Sequence, residues 1–168
     1  MVPQIKKILY ATDLSKNSVY AFYFTVDMAR KRDAKIIILH AIEPVPPYLM
    51  AYEESISETQ RSNVGEAIEE IKKRLDHFCE KMESTIGVPC RNHVSNIAVR
   101  VGYPVEEILN MAEEEGCDLI VLGSHGKGFL QQTFLGSVSR SVLDRSRKPV
   151  FIIPLPSEKT EIDWDKLL

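Results

Sequence analysis

The sequence predicts an α/β protein built on a single open, doubly wound sheet of five mainly parallel strands with helices on both faces. Two observations carry that expectation. Short aliphatic runs without polar alternation recur at Ile8–Ala11, Ile36–Leu39, Asp118–Leu122 and Val150–Ile153, the pattern of strands covered on both faces. Segments of helical period separate them, so strand and helix alternate along the chain, and that order builds a parallel sheet through right-handed crossovers.

The first run feeds Thr12-Asp13-Leu14-Ser15, a polar turn able to cap a helix. From Ser15 to Arg32, Val19, Phe22, Val26 and Ala29 recur at spacings of three and four, while Arg30, Lys31 and Arg32 suit the negative end of a helix. Asp33–Lys35 turns the chain into the Ile36–Leu39 strand. Glu43-Pro44-Val45-Pro46-Pro47 cannot form a helix interior or a central strand, so a connection is expected across residues 43–62. Val64, Ile68, Ile71, Leu75, Phe78 and Met82 then mark one long amphipathic helix ending near Gly87. The stripe is too short for a sustained coiled-coil seam, which favours core packing.

Pro89–Gly102 ends in alternating Ile97, Val99 and Val101, the pattern of a strand. Gly102-Tyr103-Pro104 opens a helix with Glu106 and Glu107 in its first turn and Gly116 past its end. Asp118–Leu122 is the next buried strand, followed by a Gly-containing loop at 123–135, a helix at Ser137–Arg147 and a last strand at Val150–Ile153. Pro154, Pro156 and the charged residues beyond suggest that 155–168 is a tail outside the sheet, within a single domain spanning 1–168.

Composition narrows the function. The chain has 168 residues, 44% hydrophobic and 27% charged, with 21 Lys+Arg against 24 Asp+Glu. A net charge of −3 gives no electrostatic reason to expect nucleic acid as a partner. The longest aliphatic stretch, Ile36–Leu39, is far short of a membrane span, and the N-terminus lacks a signal-peptide pattern, so a cytoplasmic protein without membrane contact is expected. Cys79, Cys90 and Cys117 form no Cys-x-x-Cys pair and no zinc spacing, and read as reduced apolar fillers.

Chemistry concentrates in Gly123-Ser124-His125-Gly126-Lys127-Gly128 and in Gly136-Ser137-Val138-Ser139, which opens a helix. Glycines allow close backbone approach, and free N–H groups at a helix start attract anions, so the arrangement suits phosphate. It is not a Walker A loop, which would need glycine at Val121 and Ser or Thr at Gly128. It is not a dinucleotide fingerprint either, since the turn after the first strand has no glycine. Spacing alone leaves an anion site and a loop with permissive turns equally open. His125 has no paired nucleophile or second ligand in the sequence, and His40, His77 and His93 stand more isolated still. Arg140, Arg145, Arg147 and Lys148 read as cations compensating a helix C-terminus rather than as a basic patch for a partner.

Gly123-x-x-Gly126, nine residues, then Gly136-Ser137 resembles the G-2x-G-9x-G-[ST] motif of the ATP-binding branch of the universal stress protein family. Ile8–Asp13, Gly102-Tyr103-Pro104, Asp118–Gly126 and Lys148-Pro149-Val150 match the same family in the same order, over residues 5–154. The resemblance implies a Rossmann-like sheet of order 3-2-1-4-5. It also implies a nucleotide site in which Ala11, Thr12 and Asp13 contact the nucleoside, Ala41 lies against adenine through its backbone, and Gly123, Gly126, Lys127, Gly136, Ser137, Val138 and Ser139 line the phosphates. Asp13 suits the ribose hydroxyls, because beside a triphosphate it would need Mg²⁺ between them. Its alternative role is a turn residue at the helix cap. ATP, with Mg²⁺, is the implied ligand. A homodimer joined through Val150–Ile153 is the implied assembly, and an aliphatic edge strand fits pairing independently.

Three functions compete on this evidence. One is an ATP-binding regulatory module whose occupancy changes a surface read by an unidentified protein partner. The second is a slow ATP-hydrolysing or nucleotide-transferring enzyme, although no catalytic residue and no protein metal site is assigned. The third is a dimeric interaction scaffold that ignores nucleotide.

Overall fold

The computed structural model describes residues 2–44, 46, 57–87, 89–124 and 135–154. Its elements run β1 (Lys7–Ala11), α1 (Lys16–Arg32), β2 (Lys35–Ile42), α2 (Ser57–Ile86), β3 (Val94–Val101), α3 (Pro104–Glu114), β4 (Leu119–Gly123), α4 (Ser137–Arg145) and β5 (Val150–Ile153). The five strands form one sheet of order β3-β2-β1-β4-β5, and every adjacent pair is parallel. This is the Rossmann-like, doubly wound arrangement expected from the sequence.

Alternation along each strand divides the core in two. Ile8, Tyr10, Ile36, Ile38, Leu119, Val121 and Ile153 pack against Val19, Phe22 and Val26 of α1 and Leu75, Phe78 and Met82 of α2. Leu9, Ala11, Ile37, Leu39, Ile120 and Leu122 pack against Ile108, Met111 and Ala112 of α3 and Val142 of α4. Both strand faces are therefore apolar, which is why the runs read as unbroken hydrophobic sequence.

Several boundaries differ from expectation for physical reasons. β2 continues past Leu39 through His40, Ala41 and Ile42 because β3 pairs alongside all three, His40 with Val99, Ala41 with Arg100 and Ile42 with Val101. α2 begins at Ser57, so the connection expected over 43–62 gives up its last part to helix. The apolar stripe of α2 is core from Leu75 to Met82, whereas Val64 is 43% exposed. α4 stops at Arg145, with Ser146 leaving the helix in an extended conformation.

The basic residues at and just beyond the end of α4 also differ from their expected role. Arg145 is not an unpartnered cation at a helix end: both of its terminal nitrogens bond the Glu106 carboxylate of α3, at 2.6 and 3.0 Å. Lys148 lies 3.9 Å from Glu113. No described helix is long and apolar enough to cross a membrane.

Candidate functional site

The sheet winds one way from β1 to β2 and the other way from β4 to β5, so the crevice beyond the carboxyl ends of β1 and β4 is the switch point where such sheets bind ligands. Two helices start there from opposite faces. Their N-termini are built differently.

The β1–α1 turn is closed by its own side chains. Ser15 caps α1, its Oγ accepting from the Ser18 N–H. The Ser18 hydroxyl donates to the Ser15 carbonyl at 2.7 Å and accepts from Thr12 Oγ1 at 2.8 Å. Thr12 Oγ1 in turn accepts from the Leu14 N–H, and Asp13 Oδ1 accepts from the Ser15 N–H, both at 3.0 Å. These bonds hold Leu14 at φ 63°, a left-handed conformation that costs a non-glycine residue about 1 kcal/mol or more. Tyr10 supports the turn from below, donating to the Ser18 carbonyl at 2.5 Å. Burial holds its phenol well above the usual tyrosine range, so it remains a neutral donor.

On the other side, α4 begins at Gly136 with no side-chain cap among the described residues. Its first intrahelical bond runs from the Arg140 N–H to the Gly136 carbonyl, which leaves the N–H groups of Ser137, Val138 and Ser139 at the positive end of the helix dipole. Gly136 N–H donates to the Ser124 carbonyl at 2.7 Å, and Ser139 Oγ donates to the Gly123 carbonyl at 2.7 Å. Both bonds tie α4 to the end of β4. Gly123 is required by close approach: a Cβ there would lie 2.7 Å from Asn17 Nδ2 of α1.

The expected site residues are therefore distributed as follows. Ala11, Thr12 and Asp13 end β1, Ala41 lies near the end of β2, and Gly123, Gly136, Ser137, Val138 and Ser139 belong to β4 and the start of α4. All lie toward the carboxyl edge of the sheet. Thr12 and Ser139 commit their hydroxyls to the protein, and Val138 packs its side chain on the core, so what these positions offer a ligand is backbone. Gly126, Lys127 and His125 lie outside the described residues.

His40 was underrated by sequence spacing. Its Nδ1 lies 2.7 Å from the Thr12 carbonyl, a group that only accepts, so Nδ1 carries the proton and β2 is pinned to the β1–α1 turn. His93 bonds the Ala34 carbonyl at 3.1 Å, and His77 faces Glu80 at 3.3 Å. None of the three is isolated. The signal missed at His40 was its place at the end of a strand next to β1, which appears only once strand order is known.

The sequence profile described as the Universal stress protein family matches residues 4–154. The chain belongs to the universal stress protein family. A universal stress protein of Thermus aquaticus is 33% identical over 154 residues, covering 88% of this chain and 98% of its own. Universal stress protein MJ0577 of Methanocaldococcus jannaschii is 29% identical over 161 residues, covering 88% of this chain and 94% of its own. The solved structure of MJ0577 matches this universal stress protein with a TM-score of 0.67 at 31% identity, covering 92% of this chain and 99% of that one. A universal stress protein solved in complex with cAMP shares the fold, with a TM-score of 0.53 at 22% identity over 90% of this chain and 98% of its own.

Proposed function

We propose that this universal stress protein is a nucleotide-dependent regulatory module that binds ATP in the crevice between β1 and β4. The observation that carries the reading is the N-terminus of α4 at the switch point, where Gly136 supplies no capping side chain and the first three backbone N–H groups have no hydrogen-bond partner among the described residues. The spacing of Gly123, Gly126, Gly136 and Ser137 supports the same assignment, and the cAMP complex of a relative with the same fold agrees with an adenine-nucleotide ligand. Asp13, whose Oδ1 is already engaged by the Ser15 N–H, is suited to the ribose rather than to the phosphates.

Mg²⁺ enters with the nucleotide. The described residues hold no cluster of three or more His, Cys, Asp or Glu side chains fit for a metal, so the phosphate oxygens and water supply most of its ligands. Nucleotide occupancy changes the surface around the start of α4, and a partner protein reads that surface. The active unit is a homodimer joined through β5, a reading supported by the position of β5 at the sheet edge and the 37% exposure of Phe151. In light scattering, Ile152→Lys is expected to halve the mass; an unchanged mass removes the dimer from the proposal.

Mass spectrometry under native and then denaturing conditions, followed by titration of emptied protein with Mg-ATP, tests the nucleotide reading. Retained or readily bound ATP on an intact assembly is expected. Retained ADP or AMP would favour the slow enzyme, and failure to take up any adenine nucleotide would overturn the site.

A further inference from the structure

The backbone of β2 serves two neighbours in alternation. Its even-numbered residues bond β3 and the turns flanking it: the Ile36 N–H donates to the His93 carbonyl at 2.7 Å, and the Ile42 carbonyl accepts from the Gly102 N–H at 2.9 Å. Its odd-numbered residues bond the β1 side: the Lys35 N–H donates to the Lys6 carbonyl at 2.8 Å, and the Leu39 carbonyl accepts from the Thr12 N–H at 2.9 Å. Ala41 is the next odd-numbered residue. A parallel ladder carried one step further would join the Ala41 N–H to the Thr12 carbonyl and the Leu14 N–H to the Ala41 carbonyl. Side chains pre-empt both bonds. His40 Nδ1–H takes the Thr12 carbonyl at 2.7 Å, and Thr12 Oγ1 takes the Leu14 N–H at 3.0 Å. The pairing of β1 with β2 accordingly stops at Ala11 opposite Leu39, while β3 continues beside Ala41 through Arg100. The Ala41 N–H and carbonyl are left without a hydrogen-bond partner among the described residues.

Resting on the reading of this crevice as an ATP site, we propose that His40 is the positioning residue of its base end. By occupying the Thr12 carbonyl, the imidazole stops the β1–β2 ladder one step early and keeps the backbone edge of Ala41 open for the purine. A free N–H beside a free carbonyl matches adenine, whose N1 accepts and whose 6-amino group donates. Hypoxanthine, with N1–H donating and O6 accepting, presents the reverse pattern. In this role His40 acts through Thr12 and Ala41, so it bears on the base and not on the phosphates assigned to α4. Without the imidazole, the Thr12 carbonyl loses its donor, and an acceptor left unmade is costly. The Ala41 N–H is the donor in register to replace it, so the ladder zips up and the adenine edge closes.

The test compares full-length wild type, His40→Leu and His40→Asn by calorimetry with the magnesium salts of ATP, inosine triphosphate and inorganic tripolyphosphate, and by hydrogen exchange of the Ala41 amide without ligand. Asparagine carries an N–H donor as many bonds from Cβ as histidine Nδ1, so it is the conservative variant. Wild type is expected to prefer ATP to inosine triphosphate by at least about 10-fold. His40→Leu is expected to lose that preference through weaker ATP binding, while tripolyphosphate affinity stays within about twofold and the Ala41 amide exchanges more slowly. His40→Asn should restore both the preference and the fast exchange. A merely structural imidazole would weaken ATP and tripolyphosphate together, and that result overturns the proposal. So does an Ala41 amide that exchanges no more slowly in His40→Leu, or a His40→Asn protein that behaves as His40→Leu. Wild type that binds the two nucleoside triphosphates equally overturns the role of His40 and leaves the phosphate site standing. Wild type that binds none of the three ligands overturns the ATP reading itself, and this proposal with it.

Discussion

The two helix starts at the switch point do opposite things with the same problem. Each helix begins with N–H groups that have no partner inside the helix. At α1, Ser15, Ser18, Thr12 and Asp13 close the turn with side-chain oxygens, and the network is rigid enough to hold Leu14 in a left-handed conformation. At α4, glycine stands at the cap position, and no side chain among the described residues caps the first N–H groups. One terminus is closed by its own side chains; the other is the one we propose as the phosphate receptor.

Swapping those characters gives the largest expected effect. Gly136→Asp provides α4 with its own carboxylate cap, so Mg-ATP affinity in calorimetry should fall at least about 100-fold through lost charge-assisted hydrogen bonds and repulsion. Thermal stability should hold or rise slightly, since aspartate caps better than glycine by a few tenths of a kcal/mol. Gly123→Ala drives a methyl group to 2.7 Å from Asn17 Nδ2 and 3.0 Å from its Cγ, and urea unfolding should register a loss of about 1–3 kcal/mol. Ser15→Ala removes the cap of α1. It should cost about 1 kcal/mol with a much smaller change in nucleotide affinity than Gly136→Asp, because the proposed phosphate receptor is the other terminus.

The smallest effect concerns the packing of α4 on α3. Arg145 holds the Glu106 carboxyl below the usual range by its hydrogen bonds and charge, and Arg100 does the same to Glu114. A carboxylate whose folded pKa is depressed stabilises the fold above its unfolded value, about 4.3 for glutamate, and loses that contribution as pH falls through the folded value. Both carboxylates are solvent-exposed, so the effect is small and screened by salt. Thermal melts should show wild type above Glu106→Gln at neutral pH and the gap closing in acid. A gap that persists at pH 3 would contradict the pairing.

Much of the fold was legible because this sheet is covered on both faces. Unbroken runs such as Ile36–Leu39 announce buried parallel strands, Ser15 announces a cap and Pro104 a helix start. Strand order is not written in periodicity, and it came from the family resemblance carried by residues such as Gly136-Ser137. The extension of β2 to Ile42 was hidden because it depends on pairing with β3, not on local apolarity. At the site, glycine spacing pointed to the loop after β4 and the start of α4, but no local signal places a leucine at φ 63° or directs His40 onto the Thr12 carbonyl. Arg145 looked like a dipole-compensating cation because its partner Glu106 is 39 residues away in sequence.

Backbone amide NMR during titration with Mg-ATP reads the two helix starts side by side. The largest shifts are expected at the Ser137, Val138 and Ser139 amides, with the Ser18 amide, already held by Ser15 Oγ, nearly unmoved. Saturating binding that leaves the α4 amides in place, or that perturbs Ser18 more than Ser137–Ser139, would contradict the assignment of α4 as the phosphate receptor.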